Sequence, residues 1–273
     1  GGAGLLFMLH RVRPATGDAF QPNRHLEITP DFLRIVLRHL RAQDIDIVTM
    51  DEVHRRMTAR DFSRRFASFT FDDGYRDNRD HALPVMREFD APLTVYIASA
   101  FAQGTGGLWW VALERAIAAT DSLDMTLDGV RVRIDCATAA AKQTAFNQVH
   151  DWLRRLPTDR DVRDEVRALC VRSGVDDAAI SRDLCMSWDE LRAFATDPLV
   201  TLGAHTISHC NLAHEPEEIA RQEIRLSKER IESTLQKPVR HFAYPYGDKS
   251  AAGPREFATT RAQGFTTAVT TRP

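Results

Sequence analysis

Apolar and polar positions along this chain follow two different periods. Short apolar runs, LLFML at 5–9, IDIV at 45–48, FASFTF at 66–71, LTVYIA at 93–98, VTLGA at 200–204 and HFAYP at 241–245, predict strands, and TTAVTT predicts a last one. Between them the apolar residues recur at helical spacing. In TPDFLRIVLRHLRAQ, Thr29 is placed to cap a helix and Pro30 takes its first position. Phe32, Leu33, Val36, Leu37 and Leu40 then fall on one face. Further helices are predicted around DEVHRRM, RDHALPVMREF and PREFATTRAQ. In EEIARQEIRLSKERIESTLQ, Ala220, Ile224, Ile231 and Leu235 make a single stripe. Strand followed by helix, repeated, implies an α/β fold on a mostly parallel sheet, open or closed into a barrel.

The rhythm breaks over about 104–186. This stretch reads as mostly helical, apart from LDMTLDGVRVRID, where Asp128-Gly129 joins two alternating runs as a β-hairpin. It is expected to be an insertion or cap on the barrel. The pattern resumes at SWDEL, where Ser187 and Glu190 have capping-box spacing.

Composition narrows the class of protein. With 273 residues, 43% hydrophobic, 27% charged and a net charge of −2, the chain reads as soluble and globular. There is no basic surplus to suggest a nucleic-acid partner. No apolar run is long enough for a transmembrane segment. Cys136, Cys170, Cys185 and Cys210 show no C-x-x-C spacing and are expected to be free thiols. No signal peptide is visible, which with the thiols favours the cytoplasm; the opening GGAG leaves export open. The oligomeric state stays open.

The chemistry gathers where predicted strands end. FASFTF runs into Asp72-Asp73-Gly74, and VTLGA into His205 and His209. Loops after parallel strands are where such folds place reactive groups. If the chain after His205 turns helically, the i, i+4 spacing puts both imidazoles on one face. Two histidines and one carboxylate suit a mononuclear metal site with open positions, the second carboxylate serving as a base beside it. Each element alone has an ordinary reading, a turn for D-D-G and a solvated pair for H-x-x-x-H. The same triad also fits a non-haem iron oxygenase, although the doubled aspartate and the parallel pattern count against it.

TFDDGY, then HTISH, then FAYPYG in this order resembles the polysaccharide deacetylase family, the NodB-homology domain of carbohydrate esterase family four. The resemblance covers most of the chain. It implies one domain over 1–273, a distorted (β/α)7-type barrel, with the stretch 104–186 as its least typical part. It also implies metal-dependent removal of N-acetyl groups from an N-acetylated carbohydrate. Some relatives instead release formyl groups or open cyclic amides, and a non-catalytic glycan-binding protein is the alternative from another class. Carried over by position, the resemblance makes Asp73, His205 and His209 ligands of one divalent ion, most often Zn2+. Asp72 becomes the general base and the backbone N–H of Tyr246 the donor to the oxyanion. Trp109, Trp110 and Tyr244 are candidates for substrate contact, with an apolar anchor as the other use of the tryptophans.

Two positions depart from the common pattern. Many relatives carry an acidic histidine on a last strand, but no histidine follows His241 here. His10, at the end of LLFML, is the candidate general acid, because some relatives are circularly permuted and a closed barrel makes its first and last strands neighbours. The alternatives are a packed histidine at 10, or an acid beyond the residues given. Ala243 stands where an arginine commonly supports the catalytic aspartate. Arg11, Arg76 and Arg240 are candidates to replace it in space.

Overall fold

The structure, a computed structural model, describes residues 4–272. Its strands are β1 (Gly4–Leu9), β2 (Arg11–Val12), β3 (Glu27–Ile28), β4 (Asp46–Ile47), β5 (Phe66–Phe71), β6 (Leu93–Ile97), β7 (Ser122–Leu127), β8 (Val130–Asp135), β9 (Val200–Ala204), β10 (His241–Ala243) and β11 (Thr267–Val269). The helices are α1 (Pro30–Ala42), α2 (Met50–Ala59), α3 (Leu83–Glu88), α4 (Ser99–Ala102), α5 (Trp109–Ala118) and α6 (Ala139–Leu153). They continue with α7 (Asp159–Ser173), α8 (Asp177–Leu184), α9 (Trp188–Phe194), α10 (Glu217–Leu235) and α11 (Pro254–Ala262). Thr29, Ser187 and the Asp128-Gly129 turn do what their positions predict. Thr29 accepts from the Phe32 N–H, Ser187 and Glu190 form a capping box, and Asp128 and Gly129 both take positive φ. On α1, Leu33, Leu37 and Leu40 are buried, whereas Phe32 stays exposed at the rim of the predicted stripe.

Every ladder of the main sheet is parallel, in the order β1-β5-β6-β9-β10-β11, with β4 also on β5. The strands β5, β6 and β10 are buried on both faces, and on β5 and β6 the faces differ in chemistry. Ala67, Phe69, Phe71, Leu93, Val95 and Ile97 join the main core under the outer helices. The alternate positions Ser68, Thr70, Asp72, Thr94 and Tyr96 fill the concave side. Gly203 belongs to this packing, since a Cβ there would stand 2.5 Å from the Tyr96 ring. Phe66, on the Asp72 face, packs with Val48, Met50 and Val53 and closes the barrel floor.

The barrel is open. No ladder joins β1 to β11 among the described residues, so the sheet makes a half-barrel rather than a closed one. His10 therefore reaches the site by a different route from the one expected. β1 lies directly on β5 with Leu9 opposite Phe71, which brings His10 to the same end of the sheet as Asp72 through β5 and not through a ladder to the last strand. The chain between β6 and β9 builds a second apolar cluster from α5 to α8 and the β7–β8 hairpin, and this cluster takes in Tyr75 and Ala98 from the strand-end loops and Phe101 from α4.

Candidate active site

Backbone geometry at the strand ends is unusual for the residues that occupy it. Asp72 continues the β1–β5 ladder by donating its N–H to the Leu9 carbonyl at 2.9 Å. The chain then turns sharply, with Asp73 at φ 72° and Gly74 at φ 69°. His205 follows β9 and donates its N–H to the Ile97 carbonyl at 2.9 Å. The segment to His209 is not helical. Thr206 and His209 are left-handed, at φ 65° and 60°, and it is this folded-back loop that brings the imidazoles together. Non-glycine residues rarely adopt such conformations, and they persist only where surrounding contacts fix them. Thr206 Oγ1 accepts from the His209 N–H at 2.9 Å. Glu223, on α10, accepts from the N–H groups of Ile207 and Ser208 at 2.8 and 2.9 Å and from the Ser208 hydroxyl at 2.9 Å. Nothing in the sequence separates Glu223 from the other polar residues of that helix.

Asp73, His205 and His209 converge as a buried group whose ligand atoms lie within 4.8 Å of one another. The Nε2 atoms of His205 and His209 stand 3.7 and 3.4 Å from Asp73 Oδ1. Two ligands about 2.0–2.1 Å from a tetrahedral ion stand roughly 3.3 Å apart, so the spacing suits one. His205 Nδ1 donates to the Ala243 carbonyl at 2.7 Å, which leaves the Nε2 lone pair directed at Asp73. Both carboxylate oxygens of Asp73, and Oδ1 of Asp72, are buried without a hydrogen-bond partner. A carboxylate so placed costs several kcal/mol unless a cation or a proton meets it. The residues fit a divalent ion.

Burial dominates the electrostatics. It pushes Asp72 up to about 7, and raises Asp73 well above the carboxylate range with the Asp72 charge adding to the effect. It lowers His205 to about 3 and carries His209 well below its usual value. Burial thus favours the uncharged forms of all four groups. Phe101, Trp110 and Tyr246 surround the His209 ring at centroid distances of 5.8, 4.9 and 5.0 Å, an apolar wall that keeps water away.

A cavity of about 230 Å3 opens on this group. All nine residues singled out in the sequence, His10, Asp72, Asp73, Trp109, Trp110, His205, His209, Tyr244 and Tyr246, line it. His10 is held by the loop after β5: Asn78 Nδ2 donates to the His10 carbonyl at 2.8 Å, and Asp77 binds the Val12 N–H and the Arg11 guanidinium at 3.2 and 2.7 Å. Burial lowers His10 to about 4, and it lines the same cavity as His205 and His209. Trp109 and Trp110 are 4% and 7% exposed and meet each other edge to face. Each indole N–H is engaged, with Tyr246 Oη at 2.8 Å and Tyr75 Oη at 3.1 Å respectively. Tyr244 packs its ring against Phe242 and Phe257 and bonds Thr260, presenting little more than an edge to the cavity. The Tyr246 N–H has no acceptor among the described residues, whereas its carbonyl takes the Thr271 hydroxyl at 3.0 Å.

No arginine takes over from the one absent at Ala243. Arg11 pairs with Asp77, Arg76 with Glu190 and Arg240 with Asp51, and among the described residues none reaches Asp72. Each has a nearer acid on its own side of the sheet. The Asp72 carboxylate is shifted by burial alone.

A model of the polysaccharide deacetylase family matches residues 59–134 and 136–262, well over half of the chain. This protein belongs to that family. The first 58 residues, β1 and His10 among them, lie outside the match. Solved structures of similar fold include the Streptococcus pyogenes deacetylase PplD in complex with acetate, at 13% identity and a TM-score of 0.63 over 98% of this chain and 83% of that one. IcaB from Ammonifex degensii is 18% identical, with a TM-score of 0.60 over 100% of this chain and 85% of its own. At such identities the likeness is one of fold, including the strand that carries His10. No curated protein sequence matches the chain.

Proposed function

We propose that this chain is a metal-dependent hydrolase that removes N-acetyl groups from a glycan or glycan precursor, with Asp73, His205 and His209 holding one divalent ion, zinc by the softness and number of its donors. The observation that carries this is a pair of adjacent buried carboxylates, neither neutralised by the protein, one of which faces two imidazole Nε2 atoms. A turn would leave such acids in solvent, and a glycan-binding protein has no use for the second one.

When bound, the ion supplies an acidified water and a polarised acyl carbonyl. Asp72 takes a proton from the water as its oxygen attacks the acyl carbon, a task suited to a base that titrates near neutrality. The Tyr246 N–H, unengaged and at the cavity wall, donates to the oxygen on which negative charge builds. As the C–N bond breaks, its electron pair goes to nitrogen and His10 supplies the proton the amine needs. Burial lowers His10 to about 4, so it takes up its proton from solvent as negative charge builds on the acyl oxygen, and the proton that Asp72 accepted returns to solvent as the products leave. The products are acetate and a free amine.

The test is a mass-spectrometric screen of N-acetylated oligosaccharides. Acetate release that a chelator abolishes and zinc restores is expected; release that persists in metal-stripped protein rejects the reading.

A further inference from the structure

We infer that Trp109 is a positioning residue for the oxyanion donor, acting through the Tyr246 side chain, so that the stretch 104–186 helps set the geometry of the reaction rather than only covering it. This rests on the reading of the Tyr246 N–H given above.

Tyr246 sits at φ 62°, a conformation its side chain disfavours, and Gly247 follows at φ 67°. The turn is therefore held from outside. On one side Thr271 binds it twice, its hydroxyl to the Tyr246 carbonyl at 3.0 Å and its N–H to the Gly247 carbonyl at 3.2 Å. The approach is so close that a Cβ on Gly247 would lie 2.7 Å from the Thr271 nitrogen. On the other side the Tyr246 ring is gripped by the cap. Trp109 Nε1 donates to Tyr246 Oη at 2.8 Å, and the Arg154 guanidinium lies 3.9 Å from the ring centroid, tethered to Asp248 on the same loop at 3.3 Å. The ring then meets His209 edge-on at 5.0 Å. One side chain thus joins α5, α6 and a proposed metal ligand, while its own main chain carries the donor. An oxyanion donor works only if it is already aimed when charge develops. A misplacement of about 1 Å can cost as much as 100-fold.

The experiment is a double-mutant cycle with Trp109→Phe and Tyr246→Phe, each of which keeps a ring and removes one end of the hydrogen bond. Zinc-loaded protein is assayed with 4-nitrophenyl acetate, and metal affinity is followed separately by cobalt(II) absorption. Each single variant is expected to lose kcat about tenfold at unchanged KM and unchanged cobalt affinity, and the double variant to lose no more than either. Wild-type kcat in either variant, additive losses, or a parallel fall in cobalt affinity would each overturn the inference. If Trp109→Phe fails to fold, Tyr246→Phe alone decides by the same criteria. Should the zinc-loaded wild type show no turnover above metal-free protein, the underlying hydrolase reading fails instead, which the cycle itself does not confuse with loss of the clamp.

Discussion

The loops at the carboxyl ends of the sheet and the helical stretch that lies over them solve different problems. Asp73, Thr206, His209 and Tyr246 all take left-handed conformations within the loops, and each is fixed by hydrogen bonds or close packing. The helical stretch is rich in apolar side chains, with Leu113, Ile117, Val149 and Leu169 almost wholly buried, and among its described residues the left-handed non-glycine is Asp128, in the β7–β8 turn. The loops hold left-handed backbone where the candidate ligands converge, whereas the helical stretch supplies buried apolar surface. Tyr75 and Ala98 from the strand-end loops, with Phe101 of α4, pack in the second cluster, so the helical stretch is built on the residues beside the site.

The sharpest break between the two regions comes from the ligands. His205→Ala should lose bound metal and essentially all acetate release together, measured by elemental analysis and product detection. Asp72→Asn comes next: metal content stays near one per chain while turnover falls roughly 10²–10⁴-fold. In the wild type the rising limb of the pH–rate curve should lie at or below about 7, because burial raises Asp72 and a cation on Asp73 draws it back down. The ionised base is the active form, so rates climb with pH through that limb, and Asp72→Asn should abolish it. His10→Ala should cost a similar factor on N-acetyl sugars but much less on 4-nitrophenyl acetate, whose leaving group needs no proton. Equal losses on both substrates would remove His10 from the role of acid.

Glu223→Gln is expected to weaken metal binding about 10–100-fold, by freeing the loop that presents His209, with activity recovered at saturating zinc. In the cap, Leu113→Ala should cost about 2–5 kcal/mol of stability in a denaturant titration, yet leave the activity of the folded fraction close to normal.

The sequence exposed the chemistry more fully than the shape. Asp72, Asp73, His205 and His209 were legible because the two motifs occur together, each after its own apolar strand, and in the order that the family resemblance requires. The helix caps and the Asp128-Gly129 hairpin were legible because they are local. His205 and His209 were paired for a wrong reason, since spacing alone cannot distinguish a helical turn from a loop bent at Thr206. Glu223 was invisible because a carboxylate on a polar helix face looks the same whether it meets water or three donors 15–16 residues away. The open seam between β1 and β11 depends on which strands pair, and periodicity carries no record of partners. Trp109 and Trp110 were candidates for substrate contact or for an apolar anchor; both line the cavity and both are buried with engaged indole N–H groups, partners that the sequence does not reveal.

The acceptor that fixes the His205 tautomer is the carbonyl of Ala243, a main-chain atom on the neighbouring strand. Side-chain replacement at 243 cannot delete it, so the nitrogen that faces Asp73 is set by the main chain whatever residue stands there. The surroundings of the base depend on side chains, whereas the orientation of this imidazole comes with the sheet.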